Sequence, residues 1–356
     1  MQSSVEQGSR TSQHRPELGP VSVAICAYTM RRWPTLTAAV ASVLAQLRAG
    51  DECLLVIDHN DELRARAAAE YAGHPAVRVV GNAGTAGLSG ARNTAVANCP
   101  GAAVVAFLDD DAVASAHWLG AVLGALAEDD VLGVGTAALP AWPAGARPGW
   151  FPPEFDWVVG CSYRGMPTER ADVRNVIGAA MAFRREAFEL AGTFSSDVGR
   201  VGAAPTGCEE TELCIRLRGA RPGTRITYLP DVSVSHHVTA DRLRVGYFFR
   251  RCFGEGLSKA RVSRLVGADA GLSSERSYVR SVLPRAVLRE LRRPLRGDWA
   301  GAAAAALIVG GVVTAGAGYL RGRLANRGLM ADRGALADRG ALADRGALAD
   351  RGAAGG

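Results

Sequence analysis

A chain of 356 residues is long enough to bury a sizeable core, and its 48% hydrophobic and 21% charged residues describe a folded protein rather than a disordered one. The net charge of +6 is carried almost wholly by arginine, Lys259 being the sole lysine. No basic patch interleaved with aromatics accompanies it, so nucleic acid is not an expected partner. The cysteines number seven and form no CxxC pair, which excludes a zinc knuckle and argues against a disulfide framework; buried thiols in a reducing cytosol are expected.

Residues 1–19 are polar, carry no apolar signal-peptide core and read as a disordered leader, which places the chemistry on the cytosolic side. From Val21 short apolar runs alternate with amphipathic segments. Strands are predicted at 21–26 (VSVAIC), 53–58 (CLLVID), 77–80 (VRVV) and 104–109 (VVAFLD), with helices at 35–48, 61–72, 88–97 and 115–127. This alternation predicts an α/β fold with a mostly parallel sheet covered on both faces, and ligands beyond the carboxyl ends of its strands. Residues 138–175 are rich in Pro, Gly and Trp and read as one long structured loop. A second half follows: strand 175–183, a helix from Arg184, a loop at 194–207, helix 208–218, and strands 225–230 and 232–237.

Beyond Ala240 the chain is helical and basic. Tyr278, Val279, Val282, Leu283, Val287 and Leu291 recur at helical spacing, with Arg276, Arg280, Arg285, Arg289, Arg292, Arg293 and Arg296 on the other face and Pro284 interrupting. A helix on an anionic membrane surface and a solvated charged face both fit this pattern. Residues 299–320 hold no charge, which suits either a membrane span or a small-residue helix packed closely on another helix. The tail repeats ADRGAL from Ala331 and reads as low-complexity extension.

The strongest chemical signal is FLDDDA, where Asp109, Asp110 and Asp111 end an apolar strand. Side chains alternate along a strand, so Asp109 and Asp111 are expected to face one way and to need a counter-cation, for which a hard divalent ion, Mn²⁺ or Mg²⁺, is suited. The second signal is GCEETELCIRL: Glu210, Leu213, Cys214 and Leu217 form the inward stripe of a helix, while Glu209, Glu212 and Arg216 form a wetter charged face. That phase makes Glu210 the candidate general base. Three weaker signals stand beside these: GLSGARN, with Gly87 and Arg92, as a phosphate-approaching loop; Asp58 after a strand, near a nucleoside; and His236 or His237 as an imidazole ligand.

Together these residues resemble the family 2 glycosyltransferases of the GT-A fold, over residues 21–260. AICAYTM resembles the family's nucleotide-binding loop, with Tyr28 where a residue stacks on the base; VIDHND, GLSGARN and LDDDA resemble its acidic turn, its donor loop and its aspartate motif. The resemblance implies a Rossmann-like mixed sheet over residues 20–265, with a nucleotide-sugar and metal half (20–137) and an acceptor half (138–265). A basic, apolar helical extension (266–328) and the repeat tail (329–356) would follow. It implies donor contacts from Tyr28, Asp58, Gly87, Arg92, Asp109 and Asp110, and metal contacts from Asp109, Asp111 and His236. CEETE is similar to the family's catalytic Glu-Asp pair, with Glu210 where aspartate is usual and Glu209 beside it; Ala180 stands where many relatives carry an acceptor-contacting Asn. FDWVVGCSYRGMP and RRCFGEGLSKA resemble a bacterial subgroup akin to glucuronosyltransferases that act on lipid-linked sugars. The implied activity is inverting transfer from a nucleotide sugar to a hydroxyl of a lipid-linked or cell-envelope glycan, at the inner face of the plasma membrane. A metal-dependent nucleotidyltransferase and a non-catalytic membrane-associated binding protein are the rival readings.

Overall fold

A computed structural model describes residues 18–199 and 207–325. The first seventeen residues of the expected leader, residues 200–206 of the expected loop and the repeat tail lie outside them. Among the described residues nine strands form one sheet: β1 (Val21–Ala27), β2 (Glu52–Ile57), β3 (Val77–Gly81), β4 (Val104–Asp109), β5 (Ala112–Ala114), β6 (Val131–Ala141), β7 (Ala171–Asp172), β8 (Ala180–Arg184) and β9 (Arg225–His237). Their order is β3-β2-β1-β4-β8-β6-β9-β5, with β7 against β9. The first four strands in space are parallel; β8 then runs antiparallel to both β4 and β6, and β9 runs parallel to β6. The sheet is therefore mixed, parallel from β3 to β4 and antiparallel on both sides of β8.

Helices α1 (Trp33–Leu44), α2 (Asp61–Glu70), α3 (Leu88–Asn98), α4 (Trp118–Leu126), α5 (Arg185–Ala191) and α6 (Glu209–Ala220) cover the sheet. Alternate residues of each strand feed two separate cores, as a pleated strand requires. Val23 and Ile25 pack with Leu36, Val40 and Trp118 on one face, and Ala24, Leu54, Val56 and Phe107 pack with Ala91, Phe188 and Leu213 on the other.

The expected loop at 138–175 is shorter than its composition suggests, because β6 runs on to Ala141. Gly135 conceals that strand in the sequence yet is required by it: a Cβ there would stand 2.5 Å from the Val176 side chain. The two strands expected at 225–237 are a single strand, whose register against β6 shifts after Leu229. Pro230, which has no N–H to donate, falls in that shift.

A third layer holds α7 (Val245–Val266), α8 (Ala268–Ser277), a π-helical turn at Tyr278–Val282, α9 (Leu283–Leu291) and α10 (Ala300–Ala325). Phe151, Phe155 and Val159 of the Pro/Trp-rich segment pack with Phe248, Leu283 and Ile308, so the loop is the mortar between sheet and helices. The amphipathic pattern expected over 276–296 is only partly realised. Arg289 donates to Glu154 and Glu290, and Arg293 to Glu290 and Asp298, whereas Val279 and Leu291 are exposed. Those two arginines are spent on protein carboxylates.

Candidate active site

β4 delivers Asp109 to the carboxyl end of the parallel strands, where Asp110 and Asp111 make a tight turn into β5. Strand alternation therefore does not bring Asp109 and Asp111 together, contrary to the expectation; the turn does. The short β5 pairs antiparallel with the end of β9, setting Ala112 opposite His236, and the His237 N–H donates to the Asp111 carbonyl at 2.7 Å. His236 Nε2 consequently lies 3.3 Å from Asp111 Oδ1 and 3.9 Å from Asp109 Oδ2. Asp109, Asp111 and His236 each offer one ligand atom, all within 4.8 Å of one another. His236 is buried and belongs to this cluster, whereas His237 is exposed.

The electrostatics suit a divalent ion. Burial holds His236 below its ordinary pKa, so its ring is neutral and keeps a lone pair for a metal. Burial also raises Asp109, against the pull of Arg92 and with the help of Asp111. Asp110 is pushed up to about 7 by burial, opposed by Arg32 and reinforced by Asp111 and Asp109. Crowded carboxylates that resist ionising together, plus one imidazole, form a donor set for Mn²⁺ or Mg²⁺.

Two arginines not singled out in the sequence complete this cluster. Arg32 reaches Asp110 at 2.5 Å and Asp111 at 3.1 Å, and Arg242 bridges Asp111 at 3.2 Å to the Val159 carbonyl at 3.1 Å. Arg32 lies in AYTMRRW directly after the first strand, where ligands of such sheets bind, and that position is its sequence signal; Arg242 sits in a basic run without any mark.

Tyr28, Arg32, Asp58, Gly87, Asp109 and Asp110 line one cleft at the carboxyl ends of β1, β2 and β4. Tyr28 is 43% exposed, with the Arg32 guanidinium 5.8 Å from the centre of its ring. Asp58 accepts from the Gly87 N–H at 2.8 Å and from Asn82 Nδ2 at 2.7 Å, with His59 Nδ1 at 2.8 Å. The Gly87 N–H is thus turned to Asp58 rather than to a phosphate, and Gly87, at φ 118°, serves by shaping the start of α3. Asn82, which fastens this corner through Thr94 and Gly84 as well, was not foreseen. Gly90 is held by packing: an added Cβ would stand 1.8 Å from the Thr85 carbonyl oxygen. Gly90→Ala is expected to destabilise the fold by about 1–3 kcal/mol, read as a lowered urea midpoint with an unchanged slope.

Arg92 and the glutamate pair require two corrections. Arg92 is buried, and its guanidinium is engaged by Glu209 Oε1 at 2.8 Å, the Gly178 carbonyl at 2.8 Å and Asp109 Oδ1 at 3.5 Å. It bridges Asp109 at the end of β4 to Glu209 of α6. Glu209 and Glu212, expected on a wetter face, are buried, Glu212 pairing with Arg216 at 2.8 Å. Arginine partners at both positions make that burial tolerable. Glu210 is instead the half-buried one, at the N-terminus of α6. Burial and then the charge of Glu209 push its pKa up to about 7, against Arg92.

A mixed sheet that gathers acids and an imidazole at its carboxyl edge, beside an exposed tyrosine, defines a metal-assisted transferase acting on a nucleotide-linked group. Residues 22–191 match the family model described as Glycosyl transferase family 2. A Glucosyl-dolichyl phosphate glucuronosyltransferase of Haloferax volcanii is 32% identical over 264 residues, covering 74% of this chain and 83% of that protein. The chain belongs to the family 2 glycosyltransferases and is an enzyme of glycosyl transfer from a nucleotide sugar, which sets aside both rival readings. The relative is archaeal, so the subgroup likeness is not confined to bacteria. A solved mannosyltransferase of Pyrobaculum calidifontis, in complex with GDP-Man and Mn²⁺, superposes with a TM-score of 0.51 at 16% identity over 82% of this chain and 86% of its own. That likeness shows the GT-A fold. GalNAc-T7 with UDP, GalNAc and Mn²⁺ gives a TM-score of 0.48 at 14% identity, over 75% of this chain and 57% of that one.

Proposed function

We propose that this enzyme moves a sugar, with inversion at the anomeric carbon, from a nucleoside-diphosphate donor to a hydroxyl of a lipid-linked cell-envelope glycan, at the cytoplasmic face of the plasma membrane. The observation that carries the reading is Glu210, a half-buried carboxylate with a pKa near 7 at the start of α6, tied through Glu209 and Arg92 to the aspartate cluster. A base with that pKa takes the acceptor proton as the hydroxyl attacks, a contribution of about 10²–10⁴-fold. Tyr28 stacks on the base of the donor, Asp58 meets its ribose, and Arg32 faces its phosphates from the edge of the cleft. A divalent ion held by Asp109, Asp111 and His236 would supply Lewis-acid stabilisation to the departing diphosphate. The lipid-linked acceptor is supported by the likeness to the Haloferax glucosyl-dolichyl phosphate glucuronosyltransferase.

Turnover with a panel of nucleotide sugars and Mn²⁺ tests the reaction. The expected products are free nucleoside diphosphate and a glycoside whose anomeric configuration, read by NMR, is opposite to the donor's. Retention of configuration, or release of pyrophosphate, overturns the mechanism. A polyprenyl-phosphate-linked sugar should be used in preference to the same sugar free in water, and equal kcat/KM for both would remove the lipid-linked acceptor. Protease added outside intact cells should leave the chain whole; its digestion would place the enzyme on the other side.

A further inference from the structure

Helix α10 is long and apolar enough to cross a membrane, but its two sides differ. One side is locked to α7 at backbone distance. A Cβ on Gly256 would stand 2.0 Å from the Ala315 carbonyl oxygen, and one on Gly318 would stand 2.2 Å from that of Phe253. Gly322 meets the Ala260 side chain, Gly310 the Phe249 ring and Gly311 the rings of Phe155 and Phe248, so the contact with α7 runs over residues 310–322. The other side is open: Val309, Val313, Leu320 and Leu324 are 53%, 67%, 63% and 65% exposed. At about 100° per residue these side chains, with Ala303, Ala306 and Ala317, share one stripe, and Trp299 falls in phase with it at the helix entrance.

We infer that this stripe lies in the plane of an anionic lipid leaflet, holding the catalytic domain flat against the membrane rather than hanging it from a spanning helix. The inference rests on the membrane location proposed above and specifies its geometry. A spanning α10 would drag α7 into hydrocarbon along with Arg250, Glu255, Lys259, Arg261 and Arg264, which a bilayer does not accept. An in-plane helix keeps those charges out of hydrocarbon and buries only the stripe.

Charge complementarity selects lipid as the occupant. Arg321 and Arg323 are exposed and fall on either side of the stripe at its far end. Arg285, Arg292 and Arg296 are exposed ahead of it, interleaved with the exposed Leu288, Leu291 and Leu295, and form no ion pair among the described residues. The only acids between 278 and 325 are Glu290 and Asp298, and both are already paired with Arg293. A face of leucine, valine and tryptophan fringed by uncompensated arginine matches a negatively charged interface.

The test uses the full chain and vesicles of phosphatidylcholine with and without phosphatidylglycerol, in the absence of any sugar substrate. Binding is expected to be at least about tenfold tighter with the anionic lipid and to weaken with salt. Arg292→Glu with Arg296→Glu should remove the anionic preference. Val313→Glu with Leu320→Glu should abolish binding while leaving thermal stabilisation by nucleoside diphosphate unchanged, which shows the variant folded. Nitroxide labels at Ala303→Cys, Val313→Cys and Leu324→Cys then read depth; the native cysteines are buried apart from the half-buried Cys26. Equal, shallow depths at all three positions are expected. A label deepest at 313 and shallow at both ends would mean a spanning helix, and dipolar broadening without oxygen access would mean a second protein copy; either overturns the inference. An enzyme that turns over a soluble acceptor yet ignores vesicles would defeat this surface alone. Vesicle binding without transfer would defeat the reaction and leave the surface standing.

Discussion

Asp111→Asn is expected to lower kcat/KM by at least about a thousandfold. A bound divalent ion supplies several kcal/mol of charge stabilisation at a departing diphosphate, and each 1.36 kcal/mol is a factor of about ten. Asp111 is the hub of the site: its carboxylate faces His236 at 3.3 Å, Arg32 at 3.1 Å and Arg242 at 3.2 Å. Asparagine keeps the shape but loses the charge that makes the oxygen a metal ligand. The second readout is thermal. Nucleoside diphosphate with Mn²⁺ should stabilise the native enzyme by about 2.7 kcal/mol at a hundred times its Kd, and that increment should vanish in the variant. Only the ligand-dependent increment counts, because the substitution also leaves the buried Arg242 and the half-buried Arg32 short of a partner and lowers the unliganded Tm. Asp110→Asn is the control: Asp110 gives no atom to the three-residue cluster, so its metal-dependent increment should survive. Equal loss in both variants would mean that the arginines, not the metal, set the response.

The parallel half of the sheet was legible because each strand there is an apolar run closed by a charged or glycine-bearing turn. Asp58, Gly87 and Asp109 all lie at such closures, so their meeting in one cleft follows from strand direction. The acceptor half was less legible. In β6 two glycines replace side chains where neighbouring strands and Val176 press close, which erases the β-branched signature. Helical phase also misjudged Glu209 and Glu212. Phase predicts burial from apolar neighbours, whereas these carboxylates are buried by partners remote in sequence or across one turn: Arg92, 117 residues away from Glu209, and Arg216. Arg32 and Arg242 escaped for the same reason, since an arginine's value to a site depends on which carboxylate the fold brings to it. Of the two readings of the apolar segment 299–320, close packing by small residues describes the side of α10 that meets α7.

Glu210→Gln should reduce kcat by about 10²-fold or more, with little change in donor or metal affinity. Glutamine preserves size and hydrogen bonding but cannot take the acceptor proton. Because burial and Glu209 raise the Glu210 pKa to about 7, the wild-type kcat/KM is expected to climb through neutral pH and level off above it, and that limb should be missing from the variant. The same shift fixes a stability effect with a definite sign. Between the ordinary carboxylate range and about pH 7 the native state holds a proton that the unfolded chain has released, so Glu210 weakens the fold as pH rises through that window. The variant's Tm should therefore match wild type near pH 4 and exceed it by pH 8. Glu209→Gln should behave in the opposite way. It breaks the 2.8 Å contact to a buried guanidinium, and the loss should appear as about 3–5 kcal/mol of stability rather than as a selective loss of kcat. Should Glu209→Gln fold normally and be the inactive one, while Glu210→Gln keeps its rate and its pH profile, the base has been assigned to the wrong glutamate.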